Sequence, residues 1–386
     1  MNDNRLFLLH PDEAGRRIGK VIEEMHVDGA DELIIADNAN KYYLTGRVFA
    51  GWLTVSAGGN VMAYVRRPVY LQGDNVTFVR KPEEIMVEGR SVGLELATLS
   101  AADYLRFNVM LDGRKVVNAS AVMRRARAVK TPFEIEKIAE SGRRQDKVYR
   151  TIPELYRPGM TDIDLQIEIE GALRRAGCLG QFRISGDSME LFMGNILVGD
   201  NADNPTPYDF AMGGAGVDPS LPVGADGTVI RPGNSVMVDA NGNFNGYMTD
   251  MTRTFALGDI APEAMRAHEC SIEICARLAA LGVPGTKASA LYEEAARMAA
   301  EAGFSDFFMG HRQHAGFVGH GVGIEINEAP VIAPRSRDIL AEGNVIALEP
   351  KFVIPGTGAV GIENTYVVEN GGMRCLTLTP QEILQL

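Results

Sequence analysis

The sequence predicts an α+β protein whose larger C-terminal domain consists of two pseudo-twofold halves, preceded by a smaller α/β domain. Three observations carry this prediction. Short strand-like runs follow a helical spacing in the first third, the texture changes over Arg124 to Lys130, and the segment beyond repeats its own punctuation.

Taken in order, Pro11 suits the first turn of a helix in which Ile18, Val21, Ile22 and Met25 recur at helical spacing. Strands are expected at Leu33 to Ala36, Trp52 to Ser56, Val61 to Val65 and Val69 to Leu71, separated by Gly, Pro and Asp. Thr131, Pro132 and Glu134 then form a capping box with proline at the first helical position. The boundary is placed near Ala126, giving domains of residues 1–125 and 126–386.

The 386 residues are 46% hydrophobic and 23% charged, ordinary values for a globular chain of two domains. A net charge of -12 argues against a nucleic-acid groove, which gathers Lys and Arg to neutralise phosphates. No apolar run approaches the roughly 20 residues of a membrane span. The N-terminus (Met1, Asn2, Asp3, Asn4) lacks the basic-then-apolar order of a signal peptide, so a cytoplasmic protein is expected. Cys178, Cys270, Cys275 and Cys375 include no CxxC pair and read as free thiols. Gly213-Gly-Ala-Gly216 lacks the strand and amphipathic helix of a dinucleotide fingerprint and reads as a turn lining the active-site cleft.

The duplication is the most informative pattern. Pro158-Gly159 with Thr161, a helix, and Ala176-Gly177 are echoed by Pro284-Gly285 with Thr286, a helix, and Ala302-Gly303, with 18 residues between the glycines each time. Each half continues through Gly-Asn into a strand ending in an acid, Asp239 after Gly233-Asn234 and Glu349 after Gly343-Asn344. Two such halves place a site at their junction.

Val236 to Asp239 and Tyr247 to Phe255 flank the turn-rich Asn241 to Gly246, which predicts an antiparallel hairpin. With the turn centred between Phe244 and Asn245, Asp239 faces Asp250. Directly opposed like charges repel at about 4.5–5.5 Å unless something positive sits between them. Glu349 and Glu363 repeat the device, symmetric about Gly356. Apolar Val238, Leu348 and Ile362 beside the acids imply burial, where an unpaired charge is costly, and a cation is the natural answer. His320, between small neighbours in Gly319-His-Gly-Val-Gly323, supplies one nitrogen. Oxygen-rich ligation of this kind favours Mn, Co or Fe, with Zn possible.

These residues resemble the pita-bread-fold metallopeptidases, the family of prolidases, aminopeptidases P, methionine aminopeptidases and creatinases. Asn40-Lys-Tyr-Tyr-Leu-Thr-Gly46 is similar to the N-terminal domain shared by prolidases and creatinases, and Val129 to Glu136 to the entry of the catalytic domain. Asp239, Tyr247, Asp250-Met-Thr-Arg-Thr254, Gly319-His320-Gly, Glu349-Pro350 and Ile362-Glu363-Asn364 match the five-ligand signature in order and spacing. The resemblance implies two divalent ions per subunit: Asp239 on one, His320 and Glu349 on the other, Asp250 and Glu363 bridging. It implies a hydroxide between the ions as nucleophile, Glu349 carrying its proton, His320 in the catalytic set, and a homodimer. Such ions lower the pKa of water, polarise a carbonyl and stabilise an oxyanion.

Three positions depart from the prolidase pattern. Asn327 stands where a second histidine is expected, Val223 in Leu221-Pro-Val-Gly224 where a Pro-His pair is, and Gly361 where an arginine is common. Asn can donate a hydrogen bond but cannot shuttle protons, so His314 or His311 is a substitute candidate and Tyr247 another contributor. Trp52, which directly follows the loop residues Arg47-Val-Phe-Ala-Gly51 and opens an expected strand, is a candidate for closing the pocket. The substrate implied by the resemblance is a small peptide or amide, Xaa-Pro dipeptides first. The departures favour a rival, a non-peptide reaction such as those of creatinases, ectoine hydrolases or sulfoniopropionate lyases. A non-catalytic binding protein is a third reading, disfavoured by the five retained ligands.

Overall fold

The computed structural model describes residues 3–180, 182–184 and 193–386; Met1 and Asn2, part of the N-terminal reading above, lie outside them. The chain divides into two compact units, Met1–Arg127 and Ala128–Leu386.

The first unit is a six-stranded mixed sheet in the order Val76–Phe78, Val61–Arg67, Ala50–Ser56, Glu32–Ile35, Ser91–Leu94, Lys115–Asn118. The helix Pro11–Asp28 starts where Pro11 places it, with His10 as its cap, and ends on Gly29 at φ 69. Val69 to Leu71 is not a strand. Val69 and Tyr70 are both exposed and only Leu71 is buried, so the stretch lacks the in-out alternation of a half-buried strand. Trp52 lies in the strand Ala50–Ser56, which covers the expected Trp52 to Ser56, its ring 6.3 Å from Phe107 in an edge-on contact.

The second unit contains the duplication in three dimensions. In the first half, the helices Pro132–Tyr149 and Asp162–Arg175 bury Val148, Tyr149, Leu165 and Ile169 against Ile196, Val236, Val238 and Phe255 of a four-stranded sheet. In the second, the helices Pro262–Leu281 and Ala288–Glu301 bury Ile274, Leu278, Leu291 and Ala295 against Ile346, Leu348 and Val368 of a five-stranded sheet. The paired glycines adopt matching backbone angles: φ 90 and 93 at Gly159 and Gly285, 91 and 82 at Gly177 and Gly303, 90 and 86 at Gly233 and Gly343. The repeated punctuation is thus a repeated left-handed turn, which glycine adopts without a Cβ penalty.

The predicted capping box is present: the Thr131 hydroxyl accepts from Glu134 N–H, and the Glu134 carboxylate accepts from Thr131 N–H. Cys178, Cys270, Cys275 and Cys375 are free thiols. Among the described residues no helix is long and apolar enough to cross a membrane.

Candidate metal centre

Two hairpins bring the acids together. The strands Ser235–Asn243 and Met248–Ala256 pair with Asp239 opposite Thr252 and Asn241 opposite Asp250, so Asp239 does not face Asp250 as the sequence suggested. The turn centres one residue later because Asn243 Oδ1 accepts from Gly246 N–H at 3.0 Å, with Gly246 at φ 90. A two-residue change of partner keeps both carboxylates on one face, since side chains alternate with period two. They are diagonal neighbours, about 7–8 Å apart at the backbone, which leaves space between them.

The second hairpin has the predicted register. Lys351 to Ile354 pairs with Gly358 to Gly361, and Val345 to Leu348 with Asn364 to Val367, both about Gly356. Glu349 and Glu363 occupy the break between these two ladders. His320, on the strand Gly319–Gly321, lies opposite Ala347. A Cβ at Gly319 would stand 2.4 Å from the Ala347 carbonyl oxygen and one at Gly321 2.2 Å from that of Ala329, so only glycine lets these backbones approach.

The five side chains converge. Asp250, His320 and Glu363 present ligand atoms within 4.8 Å of one another, and so do Asp239, Glu349 and Glu363. His320 Nε2 is 3.3 Å from Glu349 Oε1, 3.8 Å from Asp250 Oδ2 and 4.0 Å from Glu363 Oε1. Its Nδ1 lies 3.2 Å from the Gly321 carbonyl oxygen, a contact that fixes the ring with Nε2 toward the acids. Neighbours hold the acids in turn. Thr252 Oγ1 donates to Glu363 Oε2 at 2.8 Å, Thr365 Oγ1 accepts from Asp250 N–H at 2.9 Å, and Arg253 donates to the Glu363 carbonyl at 2.8 Å.

Sequence reasoning missed the sixth member. Lys351 is 0% exposed, and its Nζ donates to Asp239 Oδ2 at 2.9 Å, Glu349 Oε2 at 2.8 Å and Glu363 Oε2 at 3.0 Å. The signal was available: Lys351 is a lone charge in the apolar run Phe352-Val-Ile354, two residues from Glu349 and therefore on its face of an extended chain. It stands directly across the ladder from Gly361, the position where the resemblance leads one to look for arginine. The positive charge is retained in the hairpin, on the opposite strand.

These contacts set the charges. Burial, then the Asp239 charge, pushes Asp250 up to about 7. Burial, then Asp250 and Glu349, raises Glu363 well above the ordinary carboxylate range. Burial also opposes ionisation of Glu349, but Lys351 and His320 hold it down at about 2. Burial pulls the His320 imidazole down, yet the adjacent Glu349 carboxylate, with Asp250 and Glu363, lifts it to about 10.

The two triads differ in their fit to a metal ion. Around His320 Nε2, the oxygens Glu349 Oε1 and Glu363 Oε1 are buried without a hydrogen-bond partner, and a divalent ion would satisfy both. The Asp239, Glu349 and Glu363 triad is already filled by the Lys351 ammonium and does not fit an ion as it stands.

The remaining sequence candidates lie elsewhere. Asn327 is half-buried in the bend between Gly321 and Glu328, and Val223 is buried. His314 is exposed, its Nδ1 2.9 Å from the Phe308 carbonyl, and His311 Nδ1 is 2.8 Å from Asp203. Tyr247 is buried with its hydroxyl 3.2 Å from Glu134, which ties it to the capping box. Gly213 to Gly216 packs against residues 221–224, with Gly213 O accepting from Gly224 N–H at 2.8 Å.

Comparison with known proteins identifies the family. Residues 136–370 match the model of metallopeptidase family M24, and residues 17–129 that of the creatinase/prolidase N-terminal domain. The chain is 27% identical to the uncharacterized peptidase YqhT of Bacillus subtilis, over 93% of this chain and 96% of that protein. It is 27% identical to the Xaa-Pro dipeptidase of Pyrococcus furiosus, over 95% and 99%. Among solved structures, an Xaa-Pro dipeptidase from Bacillus anthracis superposes with a TM-score of 0.80 at 22% identity, covering 97% of this chain and 100% of that one. The prolidase of Pyrococcus horikoshii OT3 superposes at 0.79 and 23% identity, over 95% and 99%. With its pseudo-twofold pita-bread unit and its cluster of four carboxylates and one imidazole, the chain belongs to metallopeptidase family M24, behind an N-terminal domain of the creatinase/prolidase type.

Proposed function

We propose that the chain is a metal-dependent hydrolase that cleaves the amide bond of a small substrate, Xaa-Pro dipeptides being the first class to test. The observation that carries this reading is the convergence of Asp239, Asp250, His320, Glu349 and Glu363 from both halves of the catalytic unit. Asp250, His320, Glu349 and Glu363 would hold a divalent ion, with Mn, Co or Fe favoured by the oxygen-rich donor set and Zn possible. Such an ion, when bound, acidifies water and polarises the scissile carbonyl.

The protein's own groups then handle the proton. Glu349, kept ionised by Lys351 and His320, is available to accept one without first losing its own. His320, oriented by the Gly321 carbonyl, is the second group of the catalytic pair. Asn327, Tyr247, His314 and Trp52 remain proposals for substrate contact. A homodimer and a cytoplasmic location complete the reading.

A second reading has an observation of its own. Asn327 and the exchange of an arginine at 361 for a lysine at 351 alter the groups around the substrate while retaining the four acids and the imidazole, which favours a non-peptide amide. Release of amino acids from an Xaa-Pro panel, with Mn, Co, Fe or Zn added and Asp250→Ala as control, separates the two. Metal-dependent cleavage absent in the variant supports the dipeptidase. Bound metal without cleavage of any peptide turns the assignment to the non-peptide class.

A further inference from the structure

The resemblance implies two divalent ions, whereas the cluster already contains a cation of its own. We infer that the Lys351 ammonium takes one of the two cation places, so that the chain binds a single divalent ion between Asp250, His320, Glu349 and Glu363. This rests on reading the cluster as a metal centre, and is independent of which amide is cleaved.

The two sides of the glutamates divide the labour. Oε2 of Glu349 and Oε2 of Glu363 both accept from Lys351 Nζ, together with Asp239 Oδ2. An ammonium has three N–H donors, and these three oxygens use all of them. An ion bound to the same oxygens would sit about 2.0–2.2 Å from each, inside the volume the ammonium occupies. The two cannot share the place.

Lys351 also has little freedom to leave. It is fully buried, and its backbone is fixed by the ladder to Gly361. Moving the ammonium aside would leave a charge in the interior without acceptors, the arrangement proteins avoid most strongly.

The opposite side is built differently. Oε1 of Glu349 and Oε1 of Glu363 are buried with no hydrogen-bond partner, and both point toward His320 Nε2, as does Asp250 Oδ2. One nitrogen and three oxygens therefore surround one place that the Lys351 ammonium does not fill.

Asp239 has a changed role in this arrangement. It is a direct ligand in the family pattern, but here it neutralises Lys351 and touches the ion only through that lysine.

The test counts Mn(II) bound to the full chain by native mass spectrometry and reads its electron paramagnetic resonance spectrum. The expected result is one ion per chain with the six-line spectrum of an isolated Mn(II). Asp239→Asn should retain that ion with affinity weakened by about 10–100-fold, as expected of a residue behind the ligands, whereas Asp250→Asn should weaken it by well over a hundredfold. Lys351→Met, neutral and of similar length, should admit a second ion and produce an exchange-coupled spectrum. Two ions in the unmodified chain, or loss of the ion in Asp239→Asn, would overturn the inference even if Lys351→Met fails to fold. No ion at all would remove the metal-centre reading and this inference with it.

Discussion

Replacing Gly361 by alanine probes a tight point of the scaffold that holds Lys351. Gly361 pairs with Lys351 across the hairpin and has φ 135, a conformation that L side chains rarely adopt. A Cβ there would stand 2.7 Å from the Pro350 carbonyl oxygen and 3.0 Å from both Lys351 Cα and Ser271 Oγ. None of these can withdraw freely. Ser271 Oγ donates to the Pro350 carbonyl, and Gly361 N–H donates to Thr254 Oγ1 and His268 Nδ1, each at 3.2 Å. Backbone strain of this type costs about 1–3 kcal/mol. Overpacking in a closed core costs about 1–3 kcal/mol more. Taking the middle of each range, the catalytic unit loses about 4 kcal/mol, close to a thousandfold in its folding constant. At about 2–4 °C per kcal/mol for a unit of this size, its thermal transition falls by about 8–16 °C. Scanning calorimetry of Gly361→Ala beside Gly356→Ala gives the contrast. Gly356 has φ 81 but nothing within 4 Å of its would-be Cβ, so it bears only the conformational cost of about 1–2 kcal/mol. If Gly361→Ala melts no lower than Gly356→Ala, the steric argument is refuted. Gly361→Arg, which restores the residue common in prolidases, should be worse still rather than improve activity.

Two further perturbations test the support of the centre. Arg253 is fully buried and donates to the carbonyls of Thr252, Glu363, Thr379 and Pro380 and to Asn364 Oδ1, so Arg253→Lys, which keeps the charge but loses the planar fork, should cost at least about 3 kcal/mol in urea unfolding; a loss below 1 kcal/mol on the scale of one neutral hydrogen bond would count against that role. His268 is buried, and burial pulls its imidazole below the usual value of 6.5; its Nε2 lies 2.7 Å from the Gln381 carbonyl while Nδ1 accepts from Gly361 N–H. Protonation would break the second bond. The unfolded chain therefore takes up a proton near pH 6.5 that the folded chain refuses, so this contribution is complete above that pH and is lost as pH falls below it, by up to about 1.4 kcal/mol per unit. The same decline below pH 6.5 in His268→Gln as in the parent chain would assign it to other groups.

The acids of the site were legible in the sequence because they are tied to local pattern. A Gly-Asn entry, an apolar strand and an acid six residues past the glycine are written twice along the chain, and the register about Gly356 follows from turn symmetry alone. The register of the first hairpin was not legible to the residue. It depends on which Asn of Asn241-Gly-Asn-Phe-Asn-Gly246 folds back, and Asn243 does so by accepting from Gly246. Period two preserved the conclusion, because a two-residue change of partner leaves Asp239 and Asp250 on one face. Val69 to Leu71 shows the reverse: strand-like residues form no strand where the neighbours Val69 and Tyr70 both face solvent.

Sequence by itself thus determined the duplicated architecture, the identity of the carboxylates and the choice of His320, all properties of spacing and residue type. Only the tertiary structure decided what lies between the carboxylates. A lysine side chain reaches several ångströms from its backbone, and whether it points to water or into a cluster of acids depends on neighbours far away in the chain. For Lys351 those neighbours are Asp239 from one half and Glu349 and Glu363 from the other, which meet only when the halves close on each other.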